Sequence, residues 1–252
     1  MTFQYCSDLH LEFEDNQAWL RMHMLEPTAD VLILAGDIVC FSALEKAVWF
    51  FDWVSDNFEE TYWIPGNHEY YDSSIETPTL PTKKKVKHNV TLINNASIEI
   101  DDVVIHFSTL WTAIPERHAS VISRGMSDYH LIKINGEYLS PADVNTIHLH
   151  AKHFLESALG SNSNKKQFVV THHVPTLTNY PQEFIGSALN AAFAVELAAM
   201  INQFKPKAWI FGHTHRNVPG FSLGITQMET NQLGYIGHDE HNGFNLKAVL
   251  KV

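Results

Sequence analysis

The 252-residue sequence has little cysteine and lacks a long hydrophobic run. Its two cysteines, Cys6 and Cys40, each end an apolar run, and a single pair provides neither a disulfide framework nor a zinc-binding spacing. Apolar runs stay well below the roughly 18 residues that a membrane-spanning helix requires. A strand-like segment starts at Phe3 without a targeting leader, so we expect a cytoplasmic protein that does not associate with membranes.

Basic residues are also scarce. Lysine and arginine number 17 against 28 aspartate and glutamate residues, which gives a formal net charge of −11. This balance disfavours broad, charge-driven binding of nucleic acid, and a small anionic substrate would need a local positive site. The composition is otherwise that of a globular protein, with 45% hydrophobic and 18% charged residues. It gives no indication of an oligomeric state.

Short apolar runs separated by helical patterns indicate an α/β fold. Runs rich in Val, Ile, Phe and Trp lie at residues 3–6, 31–35, 62–64, 103–107, 168–170 and 208–211, and each predicts a buried strand. Helices between several of them predict a largely parallel central sheet that is covered by helices. Strands after Val90 and after Phe221 are expected to form hairpins. Since no repeat or linker interrupts the pattern, we expect one domain over residues 1–252.

Three helices and one irregular segment can be placed from local signals. A capping box at residues 42–45 predicts a helix that continues to about residue 57. A proline in the first helical position opens a second helix over residues 141–160. A third helix is predicted over residues 190–204. The segment 71–89, which contains prolines and four lysines, predicts a solvated loop or, alternatively, a lid that attracts phosphate.

The sequence contains sixteen histidines, so position rather than number must identify the functional ones. We expect seven of them to be ordinary surface or capping residues: His23, His118, His148, His150, His153, His238 and His241. Several of the others follow predicted strands, which makes them candidates for a site.

Five predicted strands are each followed by a polar motif that can bind a metal ion. The motifs are Asp8-Leu-His10, Gly36-Asp37, Gly66-Asn67-His68-Glu69, His172-His173 and Gly212-His213-Thr-His215. Ligands of α/β sheets bind beyond the carboxyl ends of the strands, so the motifs are predicted to meet in one crevice. Each motif alone has an ordinary explanation, such as a helix cap at Asp37 or turn chemistry at Asn67. Five of them in this order favour a shared site.

The motifs together supply two carboxylates, one amide and four imidazoles, without a thiolate. This donor set suits divalent manganese, zinc, cobalt or nickel, or iron in either common oxidation state, and it does not select among them. Seven ligands exceed what one tetrahedral ion uses and fit two adjacent ions that share a carboxylate, with Asp37 as the natural bridge. Two such ions would supply the local positive charge.

The order of the motifs resembles that of the calcineurin-like metallophosphoesterase family, in particular its bacterial single-domain members. The resemblance implies an α/β double-sheet sandwich of mixed sheets flanked by helices. It also implies two metal sites that share one ligand, the first made by Asp8, His10, Asp37 and His215 and the second by Asp37, Asn67, His172 and His213. His173 is expected to support these ligands rather than to bind a metal ion.

The resemblance further implies hydrolysis of a phosphoester by in-line attack of a metal-bound hydroxide, while a protonated histidine donates to the leaving oxygen. His68, beside Asn67, is the candidate acid. No acidic partner for it is evident, because Ile-Val-Cys-Phe-Ser follows Asp37 where related protein phosphatases have an Asp-Arg-Gly-like stretch. Arg216, which follows the last motif, and Arg124, in a long irregular segment, are candidate phosphate ligands.

These observations predict a cytoplasmic phosphoesterase that acts on a small phosphodiester or phosphomonoester. A nuclease acting on oligonucleotides is a second hypothesis, which the net charge disfavours. A third is a non-catalytic scaffold that retains the fold for partner binding, although such proteins usually lose metal ligands and the full set is present here. Other bacterial members also share the stretches 109–112, 190–193 and 231–235, which do not indicate a substrate.

Overall fold

The computed structural model describes residues 2–161 and 164–251, and two packed mixed sheets form its centre. The first sheet contains β1 (Thr2–Cys6), β2 (Val31–Leu34), β3 (Glu60–Trp63), β5 (Thr82–Lys87), β6 (Val90–Asn94) and β15 (Val249–Lys251). Its strand order is β15-β1-β2-β3-β6-β5. The four central strands are parallel, and both edge strands are antiparallel to their neighbours.

The second sheet has the same plan. It contains β7 (Ala96–Ile100), β8 (Val103–Ser108), β11 (Lys166–Thr171), β12 (Ala208–Ile210), β13 (Phe221–Leu223) and β14 (Thr226–Glu229), in the order β13-β14-β12-β11-β8-β7. The hairpins β7–β8 and β13–β14 close its two edges. A small third sheet joins β4 (Ser73–Ile75), β9 (Ile132–Ile134) and β10 (Glu137–Tyr138). The predicted double-sheet sandwich with hairpin edges is therefore confirmed.

Alternation of side chains along the strands builds separate cores on the two faces of each sheet. Phe3 and Ile33 of the first sheet face the second sheet, where the ring of Phe3 meets that of Phe168 edge-on at 6.0 Å. Leu32 and Leu34 face outward and pack under the helices. The helices are α1 (Glu14–Met22), α2 (Val48–Asn57), α3 (Glu116–Gly125), α4 (Asp128–Leu131), α5 (Pro141–Gly160), α6 (Asn190–Phe193) and α7 (Ala198–Phe204). Within the described ranges, none of them has the length and hydrophobicity of a membrane span.

The helix predicted over residues 141–160 is confirmed as α5, whose capping box joins Ser140 and Asp143 through reciprocal hydrogen bonds. The capping box predicted at residues 42–45 is wrong. Phe41–Ala47 forms a 3₁₀ helix, and α2 starts after it. The Ser42 hydroxyl donates to the carbonyl oxygen of Tyr71 instead, at 2.9 Å, so this tertiary contact replaces the local cap.

The single helix predicted over residues 190–204 is also wrong, because it is interrupted between α6 and α7. Ala194 leaves the helix and forms a parallel β-bridge with Val174. The Glu196 carboxylate then accepts hydrogen bonds from the Thr176 hydroxyl and from the amide of Ala198, where α7 begins. Pairing with a segment distant in sequence therefore outweighs helix propensity here.

The segment 71–89 contains the strands β4 and β5 rather than one solvated loop. Its lysines lie on β5, at the edge of the first sheet, where Lys85 pairs with Glu60 and Lys87 with Asp52. Charged edge strands discourage pairing with other chains. This position also gives no support to the alternative of a phosphate-attracting lid.

One of the seven histidines expected to be ordinary surface or capping residues is buried in the structure. His148 is buried on α5, and its Nδ1 atom bonds to the carbonyl oxygen of Trp111. The other six are exposed or partly exposed, as predicted. The periodicity of α5 could have revealed this, because His148 lies four residues after the buried Val144 and three before the buried Ala151.

Candidate active site

Each of the five polar motifs follows the carboxyl end of a parallel strand. The first sheet contributes Asp8 and His10 after β1, Asp37 after β2 and Asn67 after β3, and the second contributes His172 after β11 and His213 and His215 after β12. The two packed sheets thus bring these seven side chains together at one end of the sandwich. All seven residues are buried except His215, whose side chain is 12% exposed.

Unusual backbone conformations aim these side chains. Asp8, His10, Asp37, His213 and His215 all have positive φ angles, between 47° and 78°. Residues other than glycine adopt this left-handed region rarely. Such conformations cost on the order of 1–3 kcal/mol each and concentrate at functional sites. The concentration of five of them in one crevice therefore indicates a functional centre.

Two glycines provide the space in which the candidate ligands meet. A Cβ atom at Gly66 would lie 2.2 Å from Oδ1 of Asp37 and 2.7 Å from Nε2 of His172. A Cβ atom at Gly36 would lie 2.4 Å from Nδ1 of His172. A side chain at either position would displace these ligands, which explains why both motifs begin with glycine.

The first group of potential metal ligands consists of Asp8, His10, Asp37 and His215, whose donor atoms all lie within 4.8 Å of one another. Nε2 of His215 lies 2.8 Å from Nε2 of His10 and 3.4 Å from an oxygen of Asp8. Oδ2 of Asp37 lies 3.9 Å from Nε2 of His10. Protein nitrogen and oxygen atoms bind first-row divalent ions at about 2.0–2.2 Å, so four donors at these separations fit one such ion.

The second group consists of Asp37, His172 and His213, with Asn67 beside them. Nε2 of His172 lies 3.1 Å from Nδ1 of His213, 3.2 Å from Oδ1 of Asn67 and 3.3 Å from Oδ2 of Asp37. Asp37 therefore belongs to both groups through one carboxylate oxygen. The donor set fits a pair of adjacent divalent ions that share a carboxylate.

Hydrogen bonds fix the opposite end of several candidate ligands. Nδ1 of His172 donates to the carbonyl oxygen of Ala35, which leaves Nε2 facing the site. The carboxylate of Glu240 bonds to Nδ1 of His215 at 2.7 Å. The amide nitrogen of Asn67 donates to Asp128 at 2.9 Å, so its oxygen faces the site. Such outer partners orient metal ligands and raise their basicity.

The surroundings favour the metal-binding form of two of these groups, Asp37 and His213. Burial raises the pKa of Asp37, but the neighbouring His172 and His68 outweigh it and hold that pKa well below its usual range. Burial, together with neighbouring histidines, lowers the pKa of His213. A neutral imidazole and an ionised carboxylate are the forms that coordinate metal ions.

His68 lies beside this double group and has an acidic partner that the sequence interpretation missed. Its Nδ1 atom is 3.0 Å from Oε1 of Glu12, and its Nε2 atom is 3.1 Å from the hydroxyl of Tyr235. Its ring stacks on Tyr71, with 4.0 Å between centroids. The expectation that His68 has no evident acidic partner is therefore wrong, because the partner follows the first motif. The position of Glu12, two residues after His10, was the only signal in the sequence.

The remaining candidates lie around the ligands. His173 is buried and its Nδ1 atom bonds to the carbonyl oxygen of Thr109, outside both ligand groups, while its ring contacts that of His213 at 4.2 Å. Arg216 has a side chain that is 40% exposed and paired with Glu183. Arg124 lies in α3 rather than in an irregular segment, where it is exposed and its Nε atom donates to a carbonyl oxygen of the same helix.

Two known proteins have sequences similar to that of this chain. Uncharacterized protein L509 of Acanthamoeba polyphaga mimivirus is 33% identical over an alignment of length 277, which covers 99% of this chain and 96% of that protein. The 3',5'-cyclic adenosine monophosphate phosphodiesterase CpdA of Haemophilus influenzae is 23% identical over 204 residues, which cover 80% of this chain and 60% of that protein.

Comparison with solved structures shows a similar fold in another protein. Phosphopantetheinyl hydrolase (PptH) from Mycobacterium tuberculosis has a TM-score of 0.72 at 15% identity, over 100% of this chain and 95% of that chain. The sequence pattern of the calcineurin-like phosphoesterases matches residues 1–217, a range that contains all five strand-end motifs. The resemblance inferred from those motifs is thereby confirmed, and the chain belongs to the calcineurin-like phosphoesterase family.

Proposed function

We propose that this protein is a cytoplasmic, binuclear metal-dependent phosphoesterase that hydrolyses a small phosphodiester or phosphomonoester. The observation that carries this proposal is the position of Asp37, whose carboxylate belongs to two adjacent groups of buried metal-ligating side chains. When bound, two divalent ions would supply a water nucleophile that is active at neutral pH and would neutralise charge on the phosphoryl oxygens. Manganese, iron, zinc, cobalt and nickel all suit the donor set.

The proposed acid is His68, which the surrounding side chains hold ready to donate a proton. Glu12 accepts a hydrogen bond from Nδ1–H, so Nε2 is the ring atom that can face a substrate. Burial lowers the pKa of His68, but the charge of Asp37 and the hydrogen bond to Glu12 outweigh it and raise that pKa. As the bond from phosphorus to the leaving oxygen breaks, the Nε2 proton moves to that oxygen.

Two observations guide the choice of substrate. The relative CpdA is named as a phosphodiesterase of 3',5'-cyclic adenosine monophosphate, so cyclic nucleotides are the first substrates to test. The formal net charge of −11 favours a small substrate over an extended nucleic acid.

The test combines metal analysis with hydrolysis. Protein reconstituted with each of the five candidate metals would be assayed on bis(p-nitrophenyl) phosphate and p-nitrophenyl phosphate, and then on cyclic nucleotides, mononucleotides and oligonucleotides. We expect about two ions per chain and turnover of a small ester. Two bound ions without turnover of any ester would indicate a non-catalytic scaffold, and a preference for oligonucleotides would indicate a nuclease. Protein that neither contains nor rebinds metal would contradict the proposal.

A further inference from the structure

Beside His68 lies a cleft that the proposed metal groups do not use. Its volume is about 560 Å³, and its lining includes Phe13, Lys46, His68, Tyr71 and Tyr235. We call it the acid cleft. His68, the proposed proton donor, forms part of its wall, so this space adjoins the group that would protonate a leaving oxygen.

Two hydrogen-bonding groups in the wall of the acid cleft lie close to each other. The Tyr235 hydroxyl lies 3.1 Å from Nε2 of His68, and within residues 2–161 and 164–251 it has no other hydrogen-bond partner. Nδ1 of His68 is engaged by Glu12. An oxygen atom about 2.8–3.0 Å from both Nε2 and the hydroxyl would complete a triangle, so one acceptor can bond to both donors.

The ring of Tyr235 is held by the ligand groups themselves. It packs against the imidazoles of His10 and His215, with 4.7 Å and 4.5 Å between ring centroids. The backbone amide of Tyr235 donates to the carboxylate of Glu240, which also bonds to His215. The hydroxyl is therefore directed at the acid by the same residues that form the first ligand group.

We propose that the acid cleft is the leaving-group subsite and that Tyr235 is a catalytic residue in it, donating a hydrogen bond to the leaving oxygen that His68 protonates. This inference rests on the proposed function. When the bond from phosphorus to the leaving oxygen breaks, its electron pair passes to that oxygen, and the Nε2 proton of His68 moves there. Tyr235 keeps its own proton and stabilises the developing negative charge, as donors of an oxyanion hole do.

The acid cleft also limits the chemical class of the leaving group. Phe13 is 45% exposed and meets the ring of Tyr235 edge-on at 5.5 Å, so an aromatic surface borders the subsite. Nζ of Lys46 donates to the carbonyl oxygen of Glu12, and Glu12 and Asp72 add acidic side chains to the lining, so the wall has no excess of positive charge. A bulky alcohol with a planar aromatic part fits such walls better than a small aliphatic one.

The decisive variant is Tyr235→Phe, which removes the hydroxyl and keeps the ring packing on His10 and His215. Its matched control is Tyr62→Phe, because Tyr62 lies in the core between the sheets and packs on Phe107. Turnover would be measured on benzyl phosphate and p-nitrophenyl phosphate, after metal content and melting temperature. We expect Tyr235→Phe to lower kcat on benzyl phosphate by about 10², with a smaller loss on the nitrophenyl ester. The control should equal wild type.

Combination with His68→Ala provides a second readout. If both side chains act on one oxygen, Tyr235→Phe should cost less in the His68→Ala background than alone. Full activity of Tyr235→Phe on benzyl phosphate would overturn the inference. Loss of bound metal or a lower melting temperature in Tyr235→Phe would also overturn it, since either indicates a structural role. An equal loss of activity on both esters would overturn it as well, since that indicates a contact to the phosphoryl group.

Failure of the proposed function would be recognised separately. A wild-type protein that hydrolyses no ester would contradict that function, yet the acid cleft can still be tested by calorimetric binding of phenyl phosphate to metal-loaded protein. Binding should weaken several-fold in Tyr235→Phe and remain unchanged in Tyr62→Phe. Equal affinity of the two variants for phenyl phosphate would overturn the assignment of the acid cleft as a leaving-group subsite.

Discussion

Oε1 of Glu12 lies 3.0 Å from Nδ1 of His68 and 3.2 Å from Nδ1 of His10. One partly buried carboxylate therefore orients both the proposed acid and a candidate metal ligand. Burial raises the pKa of Glu12, but hydrogen bonds to the two imidazoles outweigh it and lower that pKa to about 2. The carboxylate is thus ionised at neutral pH, and its charge favours the protonated form of His68.

Replacement of this charge should change the pH dependence of turnover. Glu12→Gln removes a group that raises the pKa of His68, so that pKa falls. An acid must be protonated to act, and the decline of kcat with rising pH should therefore begin at a lower pH than in wild type. On that limb, kcat at a given pH falls about tenfold when the pKa of the acid falls by about one. Profiles of kcat against pH check this, with Glu14→Gln on exposed α1 as the control. Coincident alkaline limbs would deny Glu12 its role.

The shared position of Asp37 predicts unequal metal loss in two variants. Asp37→Ala should weaken both metal sites, because one carboxylate oxygen belongs to both groups. Asn67→Ala should weaken mainly the second metal site. The side-chain oxygen of Asn67 contacts His172, which belongs to the second ligand group only. Elemental analysis after dialysis measures this, and we expect about two ions in wild type, about one in Asn67→Ala and fewer in Asp37→Ala. Equal and mild losses in both variants would contradict the bridging role.

The placement of the candidate ligands was predictable because it follows from a general property of α/β folds. Parallel strands end at one edge, and the motifs around Asp8, Asp37 and His172 directly follow such strands. Helix α5 was predictable for a similar reason, since Pro141 and its capping box act locally. These signals lie within a few residues of the structure that they determine.

Features that depend on distant segments were not predictable in this way. Ala194 leaves its predicted helix because it pairs with Val174, and Ser42 bonds to Tyr71 instead of capping a helix. Glu12 was missed as the partner of His68 for the same reason, since 56 residues separate them in the chain. The order of the motifs indicates the site, whereas the orientation of its acid depends on packing.

Glu69 provides a test of the loop that carries His68. Its Oε1 accepts hydrogen bonds from the amide of Ile38 and the indole of Trp63, and its Oε2 accepts from the amides of Asp37 and Gly66. Burial and, after it, the charge of Asp37 raise the pKa of Glu69, while its four N–H donors act in the opposite direction because they favour the ionised acceptor. Glu69→Gln would point an amide N–H₂ at N–H donors and should cost about 2–3 kcal/mol of unfolding free energy.

Denaturant unfolding of metal-free protein measures this cost without interference from bound ions. Glu76→Gln, in the segment after β4, serves as the control for the loss of one negative charge. An unchanged free energy of unfolding in Glu69→Gln would show that the loop does not depend on these four hydrogen bonds.

The two candidate arginines should differ in how much their replacement changes KM. Arg216 is paired with Glu183, and its guanidinium lies 3.8 Å from Glu240, the residue that orients His215. Arg216→Ala should raise KM several-fold, since it removes a cation close to the ligand groups. Arg124→Ala should leave KM unchanged, because that side chain is exposed and bonds within its own helix. Steady-state kinetics measure this, and normal KM values in both variants would show that neither arginine binds the substrate.

The proposed acid makes its own prediction about the leaving group. A nitrophenolate departs with little assistance, whereas an alkoxide needs a proton as the bond to phosphorus breaks, and general acid catalysis is typically worth about 10² to 10⁴ in rate. His68→Ala should therefore retain both metal ions and lose more activity on an alkyl ester than on a nitrophenyl ester.

A role of His68 as a metal ligand would appear as metal loss, and a role in the core as a lower melting temperature without a leaving-group trend. The comparison requires wild type and variant on both esters after metal content is measured. An identical loss on both esters, with metal content and melting temperature unchanged, would exclude His68 as the acid and assign the proton to a bound water or to another side chain.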